Sequence, residues 1–498
     1  MPHSSRAVLI AVLLATTEVS AATRTVGPGK TYAAPCAAFA AAVDGDVIEI
    51  DASGKYDGDV CGVTKNGLTI RGVSGIAKIP AAGKNAQGKG IWVVSGNDTV
   101  IENVEFSGAA VADKNGAGIR QEGKNLTVRG CSFHDNEDGI LAGDNADSEI
   151  LIERSIFAAN GAGDGYSHNL YINHVAKLTF QFNWSHGAIA GHLLKTRARE
   201  NHILYNRLSG EDGRPSYEID VPNGGTTYVI GNLIEQGPAT ENGTLLAYQL
   251  EGADPKNPGT DLYVINNTFV NDKTSGSSTF VHLGVAITTP AIVQNNVFAG
   301  GGTPVAPSTA TLSNNVTDAP GLVDATAFDY RLTATSPCID AGAAPGMANG
   351  VALTPTSVYV HPASSATRAT SGAVIDVGAY ELDSGSAPGS DGGTTSSGGT
   401  TSTGGTASSD GGAIAPGGSS SGGSSDVGGG ASTGGAGSAG RATGGSPTSG
   451  ADASDVPQAN DANDSSGCSC RFAAAPSPSG SAIVLALAAL ALRCRRSR

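Results

Sequence analysis

From Leu68 to Phe298 short runs of alternating apolar and polar residues recur, broken by Gly and Asn. They read LTIRG from Leu68, TVIENVEF from Thr99, LTVRGCSF from Leu126 and ILIERSIF from Ile150. The series continues as LTFQFNWS from Leu178, HILYNRL from His202, TYVIGNLI from Thr227, LYVINNTF from Leu262 and AIVQNNVF from Ala291. A period of two over short runs predicts strands, and no helical period competes with it here. Most steps are roughly 25 residues, the signature of a solenoid in which each coil buries its neighbour. Ahead of the repeat, Cys36 to Val43 is Ala-rich and apolar. That stretch predicts a short helix covering the open end of a sheet, where unpaired edges invite aggregation. The first strand is expected just after it, over Gly45 to Ile50.

One column of the repeat is rich in Asn: Asn183, Asn206, Asn232, Asn267 and Asn296, with Val104, Cys131 and Ser155 in the equivalent earlier places. Stacked Asn side chains can hydrogen-bond along the coil axis, and Asn also tolerates left-handed backbone at a tight turn. Cys131 in that column is expected to be a buried structural thiol. A strand–turn repeat of this length with an Asn ladder resembles the right-handed parallel β-helix of pectate-lyase-like proteins. The resemblance spans Thr23 to Leu382 and implies an all-β solenoid with an N-terminal capping helix. SPCIDAG from Ser336 and DVGAYE from Asp376 look like the closing segments of such bacterial proteins.

Composition divides the chain. Of 498 residues 71 are Gly and only 15% are charged, so part of the sequence is low-complexity. Residues 383–466 are nearly all Gly, Ser, Thr, Ala and Asp, which cannot bury enough surface to fold and predict a disordered linker. Residues 1–22 combine Arg6, an apolar run from Ala7 to Ala15 and the small-residue Val19-Ser20-Ala21, the pattern of a secretory signal peptide. Export puts the cysteines in an oxidising compartment, and Cys36 and Cys61, which bracket the first coil, are the candidate disulfide. Residues 467–498 hold Cys468 and Cys470, a short apolar run and a basic end. That tail resembles the Cys-containing C-terminal sorting signals of myxobacterial surface proteins. The resemblance implies processing near Cys468 and attachment to the outer surface, hence a secreted, cell-surface protein tethered at the outer membrane. A net charge of -15 argues against nucleic-acid binding while leaving room for a local basic cluster on a polyanionic substrate. The expected partner is an acidic polysaccharide and the expected state a monomer.

Chemistry concentrates between Gly165 and Gly225, where His, Tyr, Lys, Arg, Glu and Asp crowd together. Equivalent positions of successive coils stack about 4.8 Å apart, and side chains alternate in and out. Taking Ile119, Ile140, Leu170, Leu194, Ile219 and Leu246 as an inward column sets the outward one as Arg120, Leu141, Tyr171, Lys195, Asp220 and Ala247. A second outward column two residues earlier would hold Gly118, Gly139, Asn169, Leu193, Glu218 and Leu245. His168 and His192 fall on the inward parity or at the corner. One slip of register would move every one of these side chains.

β-Elimination of a uronate polymer suits that set. It needs a cation for the substrate carboxylate, a base for the neighbouring proton and an acid for the leaving oxygen. Lys195 is the expected base, given a lowered pKa. Arg197 or Arg214 can hold the carboxylate as a bidentate pair, and Tyr171 or His192 can protonate the leaving group. Glu218, Asp220 and Asn169 offer hard oxygen ligands that suit a Ca²⁺. His168, Tyr217, Tyr248 and Glu251 are further expected substrate contacts. Three other readings compete. A glycoside hydrolase would use Glu218 with Asp220 or with Glu251, since residues two apart on a strand project about 7 Å apart on one face. A binding or adhesion module would use Tyr171, Tyr217 and Tyr248 as stacking platforms, and an epimerase would share the first proton abstraction. The bland reading is charge balance on a sheet face, with Lys195 between Glu218 and Asp220.

Overall fold

The computed structural model describes residues 21–285 and 287–382. Most of the expected leader, all of the linker and the sorting tail lie outside the described residues. Three parallel sheets run along one solenoid, two of ten strands and one of twelve. Each coil visits them in turn, as in Leu126–Arg129 on the first sheet, Ser132–His134 on the second and Asp138–Ala142 on the third. The single runs read from the sequence are therefore pairs of strands. The break between them is a residue in left-handed backbone, such as Phe182 (φ 58°), Tyr205 (φ 54°), Asn266 (φ 52°) and Asn295 (φ 57°). The bend falls one residue before the Asn column and not on it. Phe182 and Tyr205 occupy this unfavourable region with their rings stacked 5.5 Å apart.

The expected Asn ladder is present and fully buried from Asn183 to Asn296. Asn183 donates its backbone N–H (2.9 Å) and Nδ2 (3.1 Å) to Asn206 Oδ1, and Asn206 repeats the pair to Asn232 at 2.8 and 2.9 Å. The same two bonds run on through Asn267 and Asn296 to Asn315. The other Nδ2 hydrogen of Asn206 goes to Phe180 O at 2.8 Å, so one amide closes three backbone or side-chain needs. Before Asn183 the column continues through Ser155 and Cys131, and burial pushes the Cys131 thiol up to about 12. Inside, like stacks on like: Phe106, Phe133 and Phe157 follow one another at 5.2 and 4.8 Å. Each fully buried apolar side chain of such a stack contributes about 1.5–3 kcal/mol.

The ends differ from expectation in detail. A strand, Thr23–Val26, precedes the capping helix and pairs in parallel with Val47–Ile50, so the helix Pro35–Ala41 is an excursion between two strands. Phe39 of the helix meets Trp92 edge-on at 5.0 Å, and a Cys36–Cys61 disulfide ties the helix to the first strand of the third sheet. The segments around Ser336 and Asp376 do not simply close the last coil. They pair with each other (Val377 N–H to Cys338 O, 2.9 Å) and pack Tyr330, Leu332 and Val377 against Leu233, Val270 and Val297 of the second sheet. The fully buried Arg368–Glu381 ion pair (2.7 Å) pins this arm.

Asn206→Ala would leave the Asn183 donors without an acceptor in a dry corner, a loss of about 2 kcal/mol. Chemical denaturation should show the midpoint falling accordingly. An unchanged midpoint would mean that the ladder is not what sets the register.

Candidate functional site

The expected outward column is realised on the third sheet. Leu141 pairs with Arg120 and Tyr171, Tyr171 with Lys195, Lys195 with Asp220, and Asp220 with Ala247. The inward column from Ile119 to Leu246 is fully buried.

The second column is not outward. Gly118, Gly139, Asn169, Leu193, Glu218 and Leu245 face the interior, because the chain bends just before the strand and two successive residues turn inward. A Cβ on Gly118 would come within 3.0 Å of Phe133, and one on Gly139 within 3.0 Å of Phe157. Asn169 consequently belongs to a second buried ladder, its Oδ1 accepting from Asn160 N (3.1 Å) and Nδ2 (3.0 Å). It is a structural residue and not a substrate contact. Glu218 is wholly buried, with the Thr240 hydroxyl nearby but outside good hydrogen-bond geometry to either carboxylate oxygen. Burial and the neighbouring Glu235 push its carboxyl well above the ordinary range. Glu218 therefore cannot share a face with Asp220, either as a metal ligand or as a hydrolytic partner. Tyr248 is also interior, its hydroxyl donating to Gly225 O at 2.8 Å.

The bend instead stacks, close under the surface, the residues three places before the outward column. Asp138, His168, His192 and Tyr217 stand one above another. Asp138 Oδ1 accepts from His168 N–H (2.8 Å), His168 Nδ1 from His192 N–H (3.0 Å), and His192 Nδ1 from Tyr217 N–H (3.2 Å). The rings stack at 4.7 Å (His168–His192) and 5.0 Å (His192–Tyr217). A ring nitrogen that accepts a backbone N–H carries no proton, so both histidines are neutral with the proton on Nε2. Burial, with Lys195 and Arg197 nearby, holds both well below the ordinary histidine range. Asp138 lies in sequence among the polar residues His134 to Glu137, outside the Gly165–Gly225 stretch; the offset of three from the outward column is the signal that finds it.

His192 Nε2 lies 3.4 Å from Asp220 Oδ2, and Lys195 Nζ lies 3.4 Å from the same oxygen. Lys195 Nζ is also 3.3 Å from Glu251 Oε1, while Arg197 Nη2 is 2.6 Å from Glu251 Oε2. Arg197 Nε donates to the Tyr171 hydroxyl at 2.8 Å, and its Nη1 bonds Asn223 Oδ1, a contact not anticipated. Lys195 and Arg197 sit 5.7 and 5.9 Å from the centre of the Tyr171 ring. Burial pushes the Asp220 carboxyl up to about 6, with Lys195 opposing. Burial also works to raise the Glu251 carboxyl, but Lys195 and Arg197 hold it below its usual range. Lys195 thus stands between two carboxylates, Asp220 and Glu251, rather than beside a proton acceptor's open face.

Arg214 stands apart from this group, paired with Glu241 at 3.1 Å. A recess of about 470 Å³ on the first sheet, lined by Asn125, Thr127, Glu149 and Lys177 among others, contains none of these side chains. The oxygens proposed for Ca²⁺ do not converge, since Asn169 and Glu218 point inward and Asp220 is taken by Lys195 and His192. Among the described residues no cluster of three or more acidic, His or Cys side chains could hold a metal ion. The residues present do not fit the expected Ca²⁺.

A family described as a right handed beta helix region matches residues 59–208, which takes in Tyr171, Lys195 and Arg197 but stops short of Asp220 and Glu251. In fold the chain is similar to pectate lyase Pel9A, with 14% identity and a TM-score of 0.50 over 74% of this chain and 97% of that one. Weaker likenesses are to ORF18 of Geobacillus virus E2 (15% identity, TM-score 0.33, 57% and 56% of the two chains) and to a mutant of alginate lyase AlyGC (12%, 0.28, 70% and 55%). No curated protein matches it in sequence. At these identities the likeness establishes a parallel β-helix and leaves the chemistry to the residues.

Two measurements check this geometry. Nitrogen-15 spectra of histidine-labelled protein should show His168 and His192 as neutral Nε2–H tautomers from pH 5 to pH 8, and titration of either would contradict the ladder. Glu235 is almost wholly buried, and burial raises its carboxyl from 4.5 to about 7. Because the folded value is the higher one, its contribution to stability is full below about pH 4.5 and is lost as pH rises through about 7. Glu235→Gln should therefore gain on the order of 3 kcal/mol over the parent at pH 8 and nothing at pH 4. An equal offset at both pH values would show that the carboxyl titrates normally.

Proposed function

We propose that the chain cleaves a uronate-containing polysaccharide by β-elimination on the outer face of the third sheet. The observation that carries this reading is one constellation on three adjacent rungs. It holds two half-buried cations on a common carboxylate, a phenol that accepts from one of them, and an acid whose pKa lies near neutrality.

Lys195 and Arg197 would take the uronate carboxylate and neutralise the charge that builds as the adjacent carbon loses its proton. Asp220, with a carboxyl near 6 and His192 Nε2–H turned towards it, would remove that proton. The electron pair left on carbon forms the new C=C bond as the glycosidic C–O bond breaks. Tyr171 would give its proton to the departing oxygen, because its oxygen already accepts from Arg197. His192 cannot serve as base while Nδ1 holds the Tyr217 N–H, so it orients Asp220. No metal enters this scheme, in which the two side-chain cations do the neutralising. Glu218, turned inside, removes the member common to both carboxylate pairs of the hydrolase reading, and Tyr248, also inside, removes one of three stacking platforms. Secretion and tethering at the cell surface belong to the same proposal and rest on the leader and tail sequences.

The test is ultraviolet absorbance of unsaturated product from a panel of pectate, alginate and glycosaminoglycans. Lys195→Ala should lose on the order of 10²–10³-fold in rate. Asp220→Asn should lose on the order of 10²-fold or more, and the parent rate should rise with pH through about 6 as Asp220 ionises. New reducing ends without absorbance would sink the elimination reading.

A further inference from the structure

The loop after the third-sheet strand Thr244–Tyr248 is long. It runs to Leu262 before the chain regains the first sheet, whereas the preceding coil makes the same crossing between Val221 and Thr226. The extra length carries Glu251 back to the rung of Lys195 and Arg197, more than fifty residues earlier. One carboxylate oxygen goes to each cation, at 3.3 and 2.6 Å. The two cations are only 13% and 17% exposed, but Glu251 is 46% exposed. The acid thus sits on the solvent side of a cationic fork. Its backbone is held by the preceding coil, through Glu251 N–H to Pro222 O at 3.0 Å and Asn223 Nδ2 to Gly252 O at 3.3 Å. Rotation of the side chain alone would vacate the fork, with no movement of the loop.

We propose that Lys195 Nζ and Arg197 Nη2 form a carboxylate-binding fork and that Glu251 occupies it as an internal stand-in for a ligand carboxylate. A uronate must displace Glu251 to bind. The inference rests on the function proposed above only for the identity of the ligand as a uronate; the fork itself rests on the geometry. An internal competitor lowers apparent affinity by the fraction of time that it holds the site. Because Glu251 is half-exposed, its hold is of the strength of a surface ion pair and is weakened by salt. The arrangement also selects for charge, since a neutral sugar offers nothing to replace the lost pair. Removing the acid leaves Lys195 with Asp220 alone and takes from Arg197 the carboxylate it pairs with, which favours a carboxylate from outside.

The experiment is calorimetric titration of the whole protein with trigalacturonate and trimannuronate, each compared with its methyl ester. Glu251→Gln keeps the size and polarity of the side chain, and Glu251→Ala removes it; thermal melts confirm that both fold. Both variants should bind one of the acidic trimers on the order of ten-fold more tightly than the parent, with the gain shrinking in high salt and absent for the ester. Unchanged or weaker binding in both variants would overturn the proposal, and would make Glu251 a brace that positions the two cations. Absence of binding by either trimer to any form would overturn it as well. Tighter binding without unsaturated product would keep the fork and discard the elimination.

Discussion

The register between coils is the constraint on which everything else in this molecule depends. Parallel strands with one buried face tolerate no slip, because a shift by one residue turns every side chain over. The register is held at the corners, where from Asn183 onward a buried Asn on each rung accepts the backbone N–H and one Nδ2 hydrogen of the Asn before it. Those bonds are short, directional and dry, so each coil can sit in one place only. Tyr171, Lys195 and Asp220 meet as a consequence of that stacking, from positions 24 and 25 residues apart in the chain.

The same backbone sets the protonation of the groups it places. Two histidines receive a backbone N–H on Nδ1, which fixes their tautomer without any acidic partner at that nitrogen. Two acids two residues apart, Glu218 and Asp220, end in opposite surroundings. One is interior beside Glu235, and the other lies between the His192 imidazole and the Lys195 side chain. A polar pattern in sequence thus resolves into one acid that burial pushes well above the ordinary carboxyl range and one pushed up to about 6.

The solenoid, its Asn ladder and the Tyr171–Lys195–Asp220 column were legible in the sequence because strict alternation fixes them. The rest was not, because alternation fails at corners. Counting in twos puts Asn169 and Glu218 outward, whereas the bend before the third-sheet strand inserts a second inward residue there. Residue type alone makes Tyr248 a platform, whereas its place in its own strand buries it. The strand Thr23–Val26 lacked a partner in the repeat pattern, since its pairing skips the helix. Glu251 reads from sequence as a substrate contact, but its reach across the rungs to Lys195 depends on a loop path that no periodicity encodes.

The most direct test of the account is proton NMR of the products formed from an acidic polysaccharide that the protein degrades. Elimination predicts a vinyl proton at each new non-reducing end, in equal number with the new reducing ends. New reducing ends with no vinyl proton would mean that water attacked the bond, and the roles given to Asp220, Tyr171 and the Lys195–Arg197 fork would be wrong.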